Sequence, residues 1–198
     1  MTSINLVVES DLDEVIVKKI IEYVNGTPDV VYGKNGKKEI KKNLSAFNAA
    51  AISSPWIVLV DLDEGENQDD CVFHFCRTWL PDPSPKMCFR AAVHESEAWL
   101  LADREKMSLF LGIPIASITS TPETIPYPKE YLVNLARESK FQKIKDDIIP
   151  MNGSGRVSGR AYNSRMIEYV TRYWRIESAR DTSESLDRCI KCLDKILN

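Results

Sequence analysis

The sequence of 198 residues contains no run of about 18 apolar residues, so no segment is expected to cross a membrane. Only two histidines are present, His74 and His94, and no Ser-His-Asp spacing suggests a nucleophilic triad. Five cysteines, Cys71, Cys76, Cys88, Cys189 and Cys192, are an odd number for a disulfide framework, which fits a reducing compartment. The opening MTSINLVVESDLDE lacks the basic start and apolar core of a secretion signal. A cytoplasmic protein is therefore expected. No internal repeat or low-complexity tract occurs, and a net charge of −3 says little about partners.

What is present is an ordinary globular composition, 43% hydrophobic and 28% charged. The charge is unevenly distributed. Lys34, Lys37, Lys38, Lys41 and Lys42 crowd one stretch, arginines crowd residues 156–180, and carboxylates cluster near 9–14 and 61–70. An acidic site flanked by basic stretches suits an anionic polymer held against a metal. Each charge run taken alone is more often a solvated helix face. Cys189 and Cys192 form a C-x-x-C pair, which with Cys71 and Cys76 has the composition of a zinc site. RCIKCLDKIL nevertheless reads as continuous amphipathic helix without a turn residue, so the thiols are taken as packing groups.

Apolar runs and helical periodicities alternate along the first part of the chain. INLVVES reads as a strand, and SDLDEVIVKKIIEYVNG as a helix capped by Ser10 or Asp11 and stopped by Gly26. DVVYG is a second strand and KKEIKKNLSAFNAAAIS a second helix. WIVLVDLD is a third strand whose unbroken apolar run suits a central position in a parallel sheet. NQDDCVFHFCRTWL then reads as helix, MCFRAAVH as strand and ESEAWLLADREKMSLFLG as one further helix. This predicts an α/β fold: a four-stranded, mainly parallel, Rossmann-like sheet flanked by helices over residues 1–112. IPIASITSTPETIPYPKE reads as a loop. YLVNLARES, KFQKIKDDIIP, RMIEYVTRYW and SLDRCIKCLDKILN then predict a helical extension, residues 113–198, packed on the same domain.

Ligands of parallel sheets gather at the carboxyl ends of the strands. Glu9 ends the first strand, Asp61 and Asp63 end the third, and Glu95 and Glu97 follow the fourth. Alternation in a strand puts Asp61 and Asp63 on one side, about 6 to 7 Å apart. Carboxylates gathered this way repel unless a cation joins them, and Mg²⁺ or Mn²⁺ takes oxygen ligands, water and substrate phosphate. The alternative is that the aspartates open a polar loop while Glu9 caps a helix. A metal so held activates water and stabilises a leaving oxygen, chemistry that suits phosphodiester hydrolysis.

These stretches carry a resemblance. VVESDLDEV resembles the first motif of Toprim domains, with Glu9 at the strand end and Asp13 four residues later, and VLVDLDEGE resembles the second, with Asp61 and Asp63. Ser10 stands where many members have glycine, and a small side chain still allows the tight turn. The two motifs cover about the first 65 residues. FRAAVHESEAWLLAD, Tyr127-Pro128-Lys129, GRVSGRAYN and SLDR are similar to a family of small Toprim-like proteins related to OLD-type nucleases, over nearly the whole chain. Members often occur beside an ABC/SMC-like ATPase in anti-phage systems. The resemblance implies that Glu9, Asp61 and Asp63 hold Mg²⁺ or Mn²⁺, that Glu95 or Glu97 extends the site, and that Asp13 shapes the first loop or binds a second metal. It further implies Lys129 at the scissile phosphate and Arg156 or Arg160 on a nucleic-acid backbone, to which the Lys37 and Lys38 cluster adds charge. The implied protein is a nuclease acting on DNA or RNA as the effector of a defence system, or else a non-catalytic subunit that binds an ATPase or nucleic acid.

Other residues have commoner roles. Trp99 belongs on an apolar helix face, and His74 reads as structural. His94 stands beside the acids as a possible base, though packed histidines are more frequent. Tyr162, Tyr169, Tyr173 and Trp174, with arginines between them, suit base stacking or, more commonly, a packing edge. VLVDLDEG also resembles the haloacid-dehalogenase nucleophile motif. That motif belongs on a first strand and has Thr or Val where Gly65 stands. A response-regulator receiver places its acidic pair on the first strand and a lone aspartate on the third, the reverse of the order here.

Overall fold

The computed structural model describes residues 2–62 and 72–197, and these form two compact units. The first comprises Met1–Val93 and Ser185–Asn198, the second His94–Glu184.

The first unit is built on four strands: β1 (Ser3–Val8), β2 (Thr27–Gly33), β3 (Trp56–Leu62) and β4 (Met87–Val93). Their order is β2-β1-β3-β4, and all three pairings are parallel. β3 lies between two neighbours and is buried along nearly its whole length, which is why its sequence is continuously apolar rather than alternating. β2 is an edge. It tolerates Pro28, whose missing N–H would break an inner ladder, and it leaves Val30 and Tyr32 exposed.

Helices α1 (Asp11–Tyr23) and α2 (Lys37–Ala50) carry the chain from β1 to β2 and from β2 back across β1 to β3. Because these crossovers move in opposite directions, right-handed connections put the two helices on opposite faces. α1 begins where Ser10 Oγ accepts the Asp13 backbone N–H, and it buries Leu12, Ile16, Val17, Ile20 and Ile21. Ile40 and Leu44 of α2 join Phe75 and Cys76 of α3 (Val72–Trp79) over Val58, Val60 and Phe89 of the sheet. Leu6, Ile57, Leu59 and Cys88 are buried on the alternate face. There the Cys88 thiol lies near the thiols of Cys189 and Cys192 of the C-terminal helix, α10 (Glu184–Leu197; α4 to α9 follow below). The C-x-x-C pair thus lies within one helix, and burial keeps Cys88 protonated by raising its pKa well above the usual thiol value. No helix among the described residues is long and apolar enough to cross a membrane.

Gly33 is required where it stands. Its φ is +94°, and a Cβ there would sit 2.3 Å from the Val8 carbonyl oxygen, so β1 and β2 approach closely just before Glu9.

The second unit holds α4 (Glu97–Ala102), α5 (Arg104–Leu111), α6 (Pro128–Arg137), α7 (Gln142–Ile148), α8 (Tyr162–Arg172) and α9 (Ile176–Ala179). The single helix expected over ESEAWLLADREKMSLFLG is broken at Asp103. That residue leaves helical geometry to cap α5, accepting the Lys106 N–H, and its buried carboxylate also takes the Arg175 guanidinium at 2.7 Å and the Arg175 backbone N–H at 2.9 Å. The expected loop after Gly112 contains two short 3₁₀ turns, Ile115–Ser117 and Pro122–Thr124, and α6 starts at Pro128, three residues before the expected YLVNLARES. Proline suits the first helical position because the N–H it lacks would have no partner there.

Candidate functional site

The strand order places a topological switch point between β1 and β3. From there the chain returns to β2 on one side and to β4 on the other, and in parallel sheets ligands bind at the carboxyl ends of two neighbouring strands that diverge in this way. Glu9 and Asp61 meet there. Glu9 Oε1 accepts the Asp61 backbone N–H at 2.9 Å, which ties the acid ending β1 to the acid at the end of β3. Both side chains are only partly buried. Asp63 lies outside the described residues, and so does Cys71.

Asp13 is drawn inward. It is 5% exposed, and its Oδ2 accepts the Ser10 hydroxyl at 2.7 Å while its own N–H donates to Ser10 Oγ. This reciprocal cap fixes the turn that follows Glu9. Beside it Lys34, itself at φ +63°, forms ion pairs with Asp11 at 2.7 Å and with Glu14. Hydrogen bonds from Lys18 and Lys34 hold the Glu14 carboxyl below its ordinary pKa. The cluster around α1 is therefore a loop-shaping network, and among the described residues the carboxylates at the switch point are Glu9 and Asp61.

A second group lies in the second unit and brings together Glu95, Glu97 and Lys129. Glu95 Oε2 accepts the Lys129 backbone N–H at 2.7 Å, which satisfies a donor in the first turn of α6 and places negative charge at its N-terminus. Lys129 Nζ stands 5.0 Å from the centre of the Tyr162 ring, within cation–π range. The Tyr162 hydroxyl donates to Glu97 Oε1 at 3.1 Å inside the unit. Burial first, and then the charge of Glu97, push the Tyr162 phenol well above its ordinary pKa. His94 opens this unit. It adopts φ +61°, uncommon for a residue with a side chain, and its buried Nδ1 has no hydrogen-bond partner among the described residues.

The remaining expected residues are dispersed. Arg156 and Arg160 are exposed in the second unit, in a stretch anchored where the Gly159 N–H donates to the Ile148 carbonyl at 2.7 Å. In the first unit, Lys37 Nζ lies over the rings of Phe75 and Trp79, at 5.5 and 5.9 Å, and Lys38 is exposed. Trp99, Tyr162, Tyr169 and Trp174 are core residues, so of the aromatic set only Tyr173 shows a substantial surface. Two features escaped sequence reading. One is the left-handed backbone of His94. The other is the tie between Tyr162 and Glu97, whose only sequence signal was a carboxylate set in the apolar run EAWLL.

Among the described residues no group of three or more His, Cys, Asp or Glu side chains is arranged to hold a metal ion. Glu9 and Asp61 are a pair of hard oxygen donors, the chemistry that Mg²⁺ or Mn²⁺ prefers. Comparison with protein-family models, with curated proteins and with solved structures finds no match for this chain.

Proposed function

We propose that this chain is a cytoplasmic, Toprim-type nuclease that hydrolyses phosphodiester bonds with Mg²⁺ or Mn²⁺ and works as the effector of an anti-phage system beside an ABC/SMC-like ATPase. The observation that carries the reading is the hydrogen bond from the Asp61 N–H to Glu9 at the β1/β3 switch point. In parallel α/β sheets that crevice is where ligands bind. Two neighbouring carboxylates there suit a divalent cation better than they suit each other.

In this reading Glu9 and Asp61 hold the metal together with Asp63, and the Ser10–Asp13 cap keeps the Glu9 turn in place. The bound ion would supply an activated water and stabilise the leaving oxygen. The protein needs no nucleophile of its own, which accords with a chain that has two histidines and no triad spacing. Glu95, Glu97, His94 and Lys129 belong to the second unit, and variants at these positions in the same assay decide their contribution.

The test incubates wild-type protein and Asp61→Asn/Asp63→Asn with supercoiled plasmid, linear DNA and total tRNA, in Mg²⁺, Mn²⁺ or EDTA, read on a gel. Metal-dependent cleavage by wild type alone is expected, and the substrate cut identifies the nucleic acid. Cleavage that survives in the variant overturns the assignment of these carboxylates. Silence of both proteins, with and without the ATPase, leaves the non-catalytic, partner-binding subunit as the better account.

A further inference from the structure

β4 is the outer strand on its side of the sheet, and along its edge α3 and α10 enclose a cavity of about 610 Å³ within the first unit. That volume falls in the range of sites for small organic molecules, about 300–1,000 Å³. Its floor is apolar: Cys76 and Leu80 from α3 and the segment after it, and Met87 and Phe89 from β4, all at most 9% exposed. Phe73 stands at the mouth with 60% of its surface exposed.

Among the described residues the charged lining is of one sign. Arg77, Arg90, Arg188, Lys191 and Lys195 all border the cavity, and among the described residues no carboxylate does. This concentration of cations occurs in a chain whose net charge is −3. Lys191 pairs with Asp187 at 2.6 Å. Arg90 is partly buried and donates to two carbonyls, Phe89 at 2.7 Å and Arg188 at 3.4 Å. Among the described residues neither Arg90, Arg77 nor Lys195 has a carboxylate within ion-pair distance. Guanidinium drawn partly out of water without a counter-charge is costly, and an anion arriving from solution relieves that cost.

From this combination we infer that the cavity between α3, β4 and α10 binds a small amphipathic anion, a single alkyl or aryl chain ending in a carboxylate or phosphate. The chain lies on Leu80, Met87 and Phe89, and the head is held by Arg90 with Arg77 and Lys195. A neutral apolar ligand leaves the cations unanswered. A plain inorganic anion leaves the floor wet. The site is separate from the Glu9–Asp61 crevice and does not depend on the nuclease reading.

The experiment titrates octanoate, decanoate and dodecanoate, each below its micelle concentration, into the full-length protein by calorimetry, with decanol and inorganic phosphate as controls. Affinity is expected to rise about fourfold per added methylene until the floor is filled. Decanoate should bind at least tenfold tighter than decanol, and Arg77→Glu/Lys195→Glu should weaken decanoate at least tenfold. Both positions lie on helices, and unchanged circular dichroism and melting temperature establish that the variant is folded. Leu80→Trp, which fills the cavity from its floor, should abolish binding as a second, charge-independent check. Equal binding of decanoate and decanol, indifference to the charge reversal, or no binding at 1 mM (a concentration about 1000-fold above a micromolar Kd) overturns the inference. Displacement of decanoate by a labelled oligonucleotide that binds tighter also overturns it and gives the groove to nucleic acid.

Discussion

The Tyr162 hydroxyl donates to Glu97 Oε1 at 3.1 Å, and the two residues are 1% and 6% exposed. A carboxylate at that depth depends on its donors. Tyr162→Phe keeps the ring that packs under Lys129 and removes one charge-assisted hydrogen bond, worth about 1.5–3 kcal/mol. For a chain of this size that is a fall of about 2–4 °C in melting temperature per kcal/mol. The phenol also sets a pH dependence. Its pKa is raised in the fold, so above the ordinary phenol value near 10 the unfolded chain releases a proton that the folded chain retains. Stability is therefore complete below pH 10 and declines as pH rises beyond it. Tyr169 is raised by burial in the same sense. An absorbance titration should show Tyr162 and Tyr169 ionising only together with unfolding. Full ionisation of the native protein at the ordinary value would contradict this.

Asp103 and Arg175 are joined by two side-chain hydrogen bonds, at 2.7 and 3.0 Å, across 72 residues, and the Asp103 side chain is 1% exposed. Removing Arg175 leaves the buried Asp103 carboxylate without its counter-charge, whereas removing Asp103 leaves Arg175 paired with the exposed Glu105 at 2.7 Å. Asp103→Ala is expected to cost about 3 kcal/mol, at the low end for a buried pair because Arg175 is partly exposed. The double variant with Arg175→Ala should cost clearly less than the sum of the two singles, measured by urea unfolding. Additivity would mean that the pair is not coupled.

That pair also shows where sequence reading stopped. The strands β1, β3 and β4 were legible because burial on both faces demands continuous apolar runs, and the α1 start was legible to within a residue because Ser10 and Asp11 are both capping residues, of which Ser10 is the cap. The break between α4 and α5 was not. EAWLLADREKMSLFL has unbroken helical periodicity, and what interrupts it is a guanidinium 72 residues away. Likewise, the acids at the strand ends could be predicted from position. The engagement of Glu95 with the α6 N-terminus could not, since it depends on a helix that begins 33 residues later.

Gly33 and Gly36 separate two effects of a methyl group. Both have positive φ, +94° and +81°, so alanine strains either backbone. Only at Gly33 would the new Cβ meet the Val8 oxygen, at 2.3 Å, whereas Gly36 has nothing within 4 Å. Gly33→Ala should therefore destabilise by about 1–3 kcal/mol more than Gly36→Ala, the usual cost of overpacking. Because Val8 precedes Glu9, it should also impair metal-dependent cleavage in the folded fraction. Equal melting temperatures for the two variants would show that β1 and β2 part without cost.

Glu9 has two separable duties in the proposed site, as acceptor for the Asp61 N–H at 2.9 Å and as a charged oxygen donor to metal. Glu9→Gln retains a carbonyl oxygen for the hydrogen bond and removes the charge. Glu9→Ala removes both. The glutamine variant should thus melt within about 1 kcal/mol of wild type, since the neutral bond it keeps differs from the charged one by about that amount. The alanine variant should be less stable, by about 1–3 kcal/mol for the Asp61 N–H that loses its acceptor. Cleavage should fall at least a hundredfold in both, because losing a metal-binding charge impairs the chemistry whether or not the loop keeps its shape. Thermal melts and single-turnover cleavage on the same preparations distinguish the cases. A glutamine variant that is stable and fully active would assign Glu9 to holding β3 in place and remove it from the metal site.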